Sequence, residues 1–479
     1  MSALIVVMFV ALFTASSIIQ VFQADALDSD ARNARARADQ YKIQRGQILT
    51  SDGKAIVVSK KESKDEYQFQ REYLDGPLYA AVTGYYPING EPTGIEGALD
   101  TKLAGTGSTQ LFDRLQNIVT GQDPKGDSVE LTIDPKVQKA AYDALGSQRG
   151  AVVALDPSTG AVLAMVSKPS FDPNRIAVHD PSALKAYNEL LNASPSPLVN
   201  RAIGGDLNPP GSTFKLVVAS AALESGKYTE SSEFPSPPSL TLPGTSLVIH
   251  NSEGELCGTG PKATLKLALS LSCNIPFAEL GDQLGQQAIA DQAAKYWFGK
   301  PLSIPLKVTP SIYPKEPLDK AQLAQTAFGQ FEDRVTPMQM AMVSAAIGDD
   351  GVLMKPNLVK RVLSPSLDTV EQMKPEQLSQ PVSSATANAV TDMMVASVAT
   401  GAATNGRIDG VDVAGKTGTA QNGANDPYTL WYTGFAPAKN PKVAVAVVIG
   451  NGGGLGQTGY GNLVAAPIGK KVMEAVLNK

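Results

Sequence analysis

The sequence predicts an α/β sandwich, an antiparallel sheet flanked by helices, behind a separate N-terminal domain and an apolar leading helix. Three observations carry this reading. Apolar runs suited to buried strands lie at residues 151–155 and 161–166, and again at 443–449 near the other end, with helical patterns between them. The first two runs flank Asp156-Pro157-Ser158-Thr159-Gly160, a turn sequence that joins neighbouring strands. The region before residue 129 has a polar, turn-rich texture of its own. At 479 residues the chain exceeds what one compact core holds, and the texture divides it at 1–23, 24–128 and 129–479.

Residues 3–22 carry no charge, and only Thr14, Ser16, Ser17 and Gln20 are polar. As a helix that stretch spans a bilayer core of ~30 Å. Gln23-Ala24-Asp25 is a poor cleavage site, so an uncleaved single-pass anchor is expected rather than a signal peptide. No Lys or Arg precedes it, and Arg32, Arg35 and Arg37 follow it, so charge bias gives no outward orientation. The topology must come from the chemistry.

In the 24–128 region, Arg45-Gly46-Gln47-Ile48 leads to a turn at Ser51-Asp52-Gly53, and Tyr67-Gln68-Phe69-Gln70 alternates as a strand. No catalytic cluster stands out there. Asp134 is placed to cap a helix with Pro135 at its first position, running through Ala140, Ala141 and Leu145. A closing helix is expected over 467–477.

Composition narrows the function. Hydrophobic residues at 43% and charged residues at 18% describe a folded body. A net charge of −5 lacks the basic face of a nucleic-acid binder, so no such partner is expected. His179 and His250 are the sole histidines and read as loop and strand-end residues. Cys257 and Cys273 are too few for a structural zinc site, and no metal or cofactor is expected. The two thiols either pair or sit apart as buried residues.

A serine that attacks an acyl carbon needs a base, and a lysine kept neutral can serve. Ser-x-x-Lys on a helix puts both on one face. The pattern occurs as Ser51-Asp52-Gly53-Lys54, Ser182-Ala183-Leu184-Lys185 and Ser212-Thr213-Phe214-Lys215. The first lies in an Asp-Gly turn, and the second follows Asp180-Pro181 in a solvated helix. The third follows Pro209-Pro210-Gly211 and runs into Leu216-Val217-Val218-Ala219, which sets Ser212 in the first turn of a buried helix. Ser272-Cys273-Asn274 ends another helix, and Lys416-Thr417-Gly418-Thr419 reads as a strand with glycine where a close backbone approach is needed. Singly, the second could be a helix cap and the third an edge strand.

In order and kind these elements resemble the Ser-x-x-Lys, Ser-x-Asn and Lys-Thr-Gly set of penicillin-binding proteins and serine β-lactamases. The resemblance extends to Pro169-Ser170-Phe171-Asp172-Pro173-Asn174, Phe328-Gly329-Gln330, Val335-Thr336-Pro337-Met338-Gln339 and Trp431-Tyr432-Thr433-Gly434-Phe435. Arg45-Gly46-Gln47-Ile48 and Gly94-Ile95-Glu96 are similar to motifs of the pedestal domain in class B penicillin-binding proteins, monofunctional D,D-transpeptidases, of the short actinobacterial A type. The resemblance implies a pedestal at 24–128 and a transpeptidase domain at 129–479.

What the resemblance implies is a peptidoglycan D,D-transpeptidase. Ser212 attacks the penultimate D-Ala carbonyl of a stem peptide, Lys215 takes its proton and Ser272 relays it to the leaving amine. Asn274 binds the substrate backbone, while Lys416 and Thr417, within Lys416-Thr417-Gly418-Thr419, hold the terminal carboxylate. The N–H groups of Ser212 and Thr419 form the oxyanion hole. β-Lactam antibiotics acylate the same serine. A membrane glycosyltransferase partner makes the glycan strands, since no polymerase domain precedes the acyltransferase, and the catalytic domain lies outside the cell membrane. In that compartment Cys257 and Cys273 are candidates for a disulfide beside the active site, or remain two separate buried thiols. A class A β-lactamase needs a glutamate for deacylation, and no Glu-x-x-x-Asn lies between Asn274 and Lys416. A D,D-carboxypeptidase, and a scaffold or β-lactam sensor, are the competing readings.

Overall fold

The computed structural model describes residues 2–19, 41–62, 67–88, 90–106, 125–205, 207–251 and 256–478. The chain opens with helix α1 (Ser2–Ser17), 16 residues long. At 1.5 Å per residue it reaches about 24 Å, short of a bilayer core. Among the described residues no helix is long and apolar enough to cross a membrane. Residues 20–22 of the expected anchor lie outside the described residues.

The pedestal is organised by a six-stranded sheet. It contains β1 (Ile48–Leu49), β2 (Ala55–Lys61), β3 (Phe69–Tyr73) and β4 (Ser128–Leu131). A hairpin of Val359–Leu363 and Thr369–Gln372 extends the sheet beyond β4. The turn at Ser51-Asp52-Gly53 joins β1 to β2, with Thr50 donating to the Asp52 carboxylate at 2.6 Å. β3 begins at Phe69, later than the alternation at residue 67 predicts, because Gln68 takes a left-handed φ of 56° that interrupts extended backbone. The resemblance motifs meet in the pedestal core. Glu96 accepts from Arg45 Nε and Arg71 Nε, each at 2.6 Å, and Arg45 also reaches Asp100 at 2.7 Å. Burial would raise the Glu96 carboxyl, but the two guanidiniums outweigh it and hold it below its ordinary value.

Catalytic-domain strands come from both ends of its sequence. They are β5 (Gly150–Leu155), β6 (Val162–Lys168), β7 (Ala414–Ala420), β8 (Thr429–Ala436) and β9 (Val443–Ile449). The order is β7-β8-β9-β5-β6 and every pairing is antiparallel, which puts β7 at an edge. Helices cover both faces, so β9 is buried at every position and reads as an unbroken apolar run rather than an alternation.

Helix α2 (Pro135–Leu145) starts where predicted, with the Asp134 carboxylate accepting from the N–H groups of Lys136 and Val137. α3 (Lys215–Glu224) and α4 (Leu265–Ser270) lead to the site, and α5 (Pro337–Gly348) packs on β5, β8 and β9. Eleven residues of α5 are buried, as expected for a helix apolar all round. The opposite face carries α2 and α6 (Gly461–Leu477). α6 begins six residues before the expected start at Pro467, which lies inside it. Its first turn lies so close to the sheet that a Cβ at Gly461 would meet the Trp431 carbonyl at 2.4 Å. Tertiary packing starts this helix, and the proline is tolerated within it.

Candidate active site

The turn 209–211 that carries Ser212 is fixed from three sides. Buried Trp431 donates its indole N–H to the Pro209 carbonyl at 2.9 Å, and Thr213 donates its hydroxyl to the Pro210 carbonyl at 2.7 Å. Gly211 N–H donates to the Gly329 carbonyl at 2.9 Å. Gly329 has φ 80°, and a Cβ there would sit 1.9 Å from the Gly211 carbonyl, so only glycine allows the two turns to touch. A 3-10 turn, Gly211–Phe214, then hands over to α3 at Lys215. Phe214 anchors the turn by stacking on Tyr313 and meeting Phe298 edge-on.

Both Ser212 and Lys215 are buried, and the Lys215 amine lies 3.0 Å from Ser212 Oγ. It also donates to the Ser272 carbonyl at 2.7 Å and to Asn274 Oδ1 at 2.8 Å. Of these three partners only the serine hydroxyl can donate. A neutral amine therefore spends its two N–H bonds on the carbonyl oxygens and turns its lone pair to Ser212, the orientation of a general base. Burial, and then the charge of Lys416, hold Lys215 well below the ordinary lysine range.

Ser272 occupies an αL position, φ 62°, just past the end of α4. Its N–H donates to the Leu269 carbonyl at 3.1 Å and the Cys273 N–H to the Ala268 carbonyl at 2.8 Å, the paired bonds of a Schellman motif. This backbone turn aims the Ser272 hydroxyl at Lys416, whose amine donates to it at 2.6 Å. Lys416 also donates to the Thr417 carbonyl at 2.9 Å, and burial lowers it to about 7. Asn274 donates from Nδ2 to the His250 carbonyl at 2.9 Å. Its own N–H and that of Ile275 donate to Asn251 Oδ1, each at 3.0 Å. Cys257 and Cys273 are joined by a disulfide, which ties the middle of Ser272-Cys273-Asn274 to the segment after Asn251.

Ser212, Lys215, Ser272, Asn274, Lys416, Thr417, Gly418 and Thr419 thus converge from three separate stretches of sequence. Ser212, Ser272, Asn274, Thr417, Gly418 and Thr419 line a cleft of about 550 Å³. A Cβ at Gly418 would meet the Pro210 carbonyl at 2.8 Å, so this glycine admits the serine turn against β7. The two threonines differ. Thr417 donates its hydroxyl inward to the Ala402 carbonyl at 3.1 Å, whereas Thr419 Oγ1 accepts from Gly461 N–H at 3.2 Å and keeps its proton to give. Thr419 is therefore better placed than Thr417 to meet an anion. The other two Ser-x-x-Lys copies stay outside the cleft, one at the β1–β2 turn and one on the exposed face of Ser182–Asn192.

Sequence reasoning missed His250, Asn251, Ala402 and Gly461, which hold the catalytic side chains through backbone or amide groups. Nothing local marks them. Asn251 stands 23 residues from the helix start it caps.

Residues 150–474 match the family model of the penicillin-binding protein transpeptidase domain, and 45–129 that of the penicillin-binding protein A dimerisation domain. The chain is 40% identical to the peptidoglycan D,D-transpeptidase PbpA of Mycolicibacterium smegmatis, over 99% of this chain and 97% of that one. It is 39% identical to its Mycobacterium tuberculosis counterpart, over 99% and 98%. The ceftriaxone acyl-enzyme complex of M. tuberculosis penicillin-binding protein A superposes with a TM-score of 0.88 at 38% identity, covering 92% of this chain and all of that one. Its penicillin G acyl-enzyme complex gives 0.85 at 37%, covering 91% and 100%. Together with the serine–lysine cleft, these likenesses place the chain in the penicillin-binding protein transpeptidase family, among its class B members.

Proposed function

We propose that this chain is a serine D,D-transpeptidase that cross-links peptidoglycan stem peptides and is acylated by β-lactams at Ser212. The observation that carries the reading is the Lys215 amine, 3.0 Å from Ser212 Oγ, with carbonyl acceptors at its other two contacts. Ser212 attacks the carbonyl of the penultimate D-Ala while Lys215 takes its proton. The N–H groups of Ser212 and Thr419 receive the oxyanion, worth about 3 kcal/mol for each donor. Lys416 and Thr419 hold the terminal carboxylate, and Asn274 positions the peptide backbone. Lys215 then passes its proton by way of Ser272 to the departing D-Ala amine. The amine of a second stem peptide attacks the acyl-serine, forms the cross-link and frees Ser212.

The wider setting follows from the same chemistry. A stem peptide of the wall lies outside the membrane, so the catalytic domain faces outward and residues 3–22 anchor it as a single span. The charge-free composition of that stretch supports the anchor. A membrane glycosyltransferase supplies the glycan strands, because neither matched family model describes a polymerase.

Intact-mass spectrometry after incubation with benzylpenicillin tests the acyl-serine, with Ser212→Ala alongside. One stable penicillin adduct, absent from the variant, is expected. A donor pentapeptide with an added amine then separates acceptors: a cross-linked product supports transpeptidation, and hydrolysis alone would make the protein a D,D-carboxypeptidase.

A further inference from the structure

A cavity of about 800 Å³ lies past the C-terminal end of β7 and opens into the Ser212 cleft. The two share Gln330, Gln421 and Tyr428 as walls. Arg149, Arg201 and Arg334 line it, with Asp426 the one carboxylate among its described lining residues.

The direction of the bound donor follows from β7. Its free edge faces the cleft, since the Thr417 carbonyl meets Lys416 there. Alternate residues face the same edge, so Thr419 and Gln421 present their backbone groups to it as well. With the terminal carboxylate at Lys416 and the scissile carbonyl at Thr419, the donor's earlier residues run towards Gln421. That edge position is already occupied. With its amide turned so that the nitrogen faces the Gln421 carbonyl, Gln330 brackets Gln421, donating to that carbonyl at 3.2 Å and accepting from the Gln421 N–H at 3.1 Å. A peptide that cannot pair with Gln421 leaves the strand edge there, and the cavity is the space it enters.

Arg334 is the fixed cation of that space. Its guanidinium donates to the carbonyls of Phe331 and Asp333, both at 2.8 Å, and makes no ion pair among the described residues. The neighbouring Asp333 is buried and its carboxylate makes no ion pair with Arg334, which meets that residue through its backbone carbonyl instead. The rest of the wall offers side-chain amides, Gln421 and Asn422 among them.

We propose that this cavity is a specificity site for the donor peptide, in which Arg334 recognises a carboxylate carried two or three residues before the scissile bond. The proposal rests on the transpeptidase reading and names the chemistry of its substrate. It is tested on the full chain with two donor pentapeptides, one bearing free carboxylates upstream of D-Ala-D-Ala and one with those groups amidated. The readout is kcat/KM for D-Ala release, with benzylpenicillin acylation reporting cleft integrity. The free-carboxylate donor is expected to be favoured by roughly tenfold or more, as a charge-assisted hydrogen bond predicts. Arg334→Gln should collapse that ratio towards one, and Arg334→Lys should restore part of it. Ala424→Asp, an exposed substitution that adds a carboxylate to the wall without removing a bond, should lower the ratio independently. Equal rates for the two donors, or a ratio unmoved by both charge-changing variants, would overturn the proposal alone. Release from neither donor would overturn the transpeptidase reading and this site with it.

Discussion

Ser272 stores backbone strain in order to place its hydroxyl, and the strain can be measured apart from the chemistry. Its φ of 62° is the position that helices usually give to glycine, and the Schellman bonds to Leu269 and Ala268 hold it there. A left-handed conformation costs a non-glycine residue about 1–2 kcal/mol. Glycine loses more chain entropy on folding, which takes back roughly 0.5–1 kcal/mol. Ser272→Gly and Ser272→Ala both remove the hydroxyl that accepts from Lys416, so the difference between them isolates the backbone. Ser272→Gly should be the more stable by about 1 kcal/mol, a rise of about 1–2 °C in melting temperature for a domain of this size. Both should lose benzylpenicillin acylation by about 10²–10⁴-fold, the usual contribution of a proton-transfer group. Thermal melts and stopped-flow acylation on the same preparations decide it. A glycine variant no more stable than the alanine variant would refute the strain argument, and near-wild-type acylation in either would remove Ser272 from the proton relay.

The lysine pair sets the pH behaviour. Burial and the charge of Lys416 hold Lys215 well below the ordinary lysine range, while Lys416 gives up its proton at about 7, so kcat/KM towards carboxylate-bearing donors should fall on a limb near that pH. Lys416→Arg, which keeps its charge, should work more slowly but lose that limb; an unchanged limb would assign it to another group. Burial depresses both amines, so their charged forms are disfavoured in the fold while the unfolded chain stays protonated up to about 10.5. Unfolding takes up protons between about 7 and 10.5, and stability should climb with pH through that window. Melts of Lys416→Met should show a flatter climb, and an identical slope would count against the shift. In the pedestal, Glu96→Gln leaves Arg45 and Arg71 facing each other without their shared carboxylate. A loss of about 3–5 kcal/mol in urea unfolding is expected, and a loss under about 1 kcal/mol would mean the network is not structural.

The sequence made some features legible because their causes are local. Asp134 and Pro135 carry the start of α2 in two residues, and the Pro-Pro-Gly turn marks which Ser-x-x-Lys is buried. The three catalytic motifs were readable as a set through their order, although their meeting depends on a fold that joins β7 to strands some 250 residues away. Features set by tertiary contact were not legible. The start of α6 depends on how closely Gly461 approaches Trp431, and a proline inside the helix misled the reading. The ion-pair network explains Arg45-Gly46-Gln47-Ile48 and Gly94-Ile95-Glu96 only once Arg71, from β3, is placed between them. The division of labour between Thr417 and Thr419 depends on Ala402 and Gly461, neither of which belongs to a motif.

The fold's central device is an edge strand left unpaired on one side. Soluble proteins usually blunt such edges, since free N–H and C=O groups invite another strand. Here β7 keeps its edge open over Thr417 and Thr419, and Gln330 closes it at Gln421. The open length matches a short peptide terminus and little more, so an extended D-alanyl end can add to the sheet while a longer strand is refused. The same shortness turns the remainder of the donor away from the sheet. On the proposed reading recognition is split in two: backbone pairing and Lys416 hold the end that reacts, and the arginine-lined cavity reads the part that does not. Interactions with that remote part can help to carry the cost of burying a lysine pair whose charges disfavour each other, because binding energy gained away from the reacting bond is available to position it.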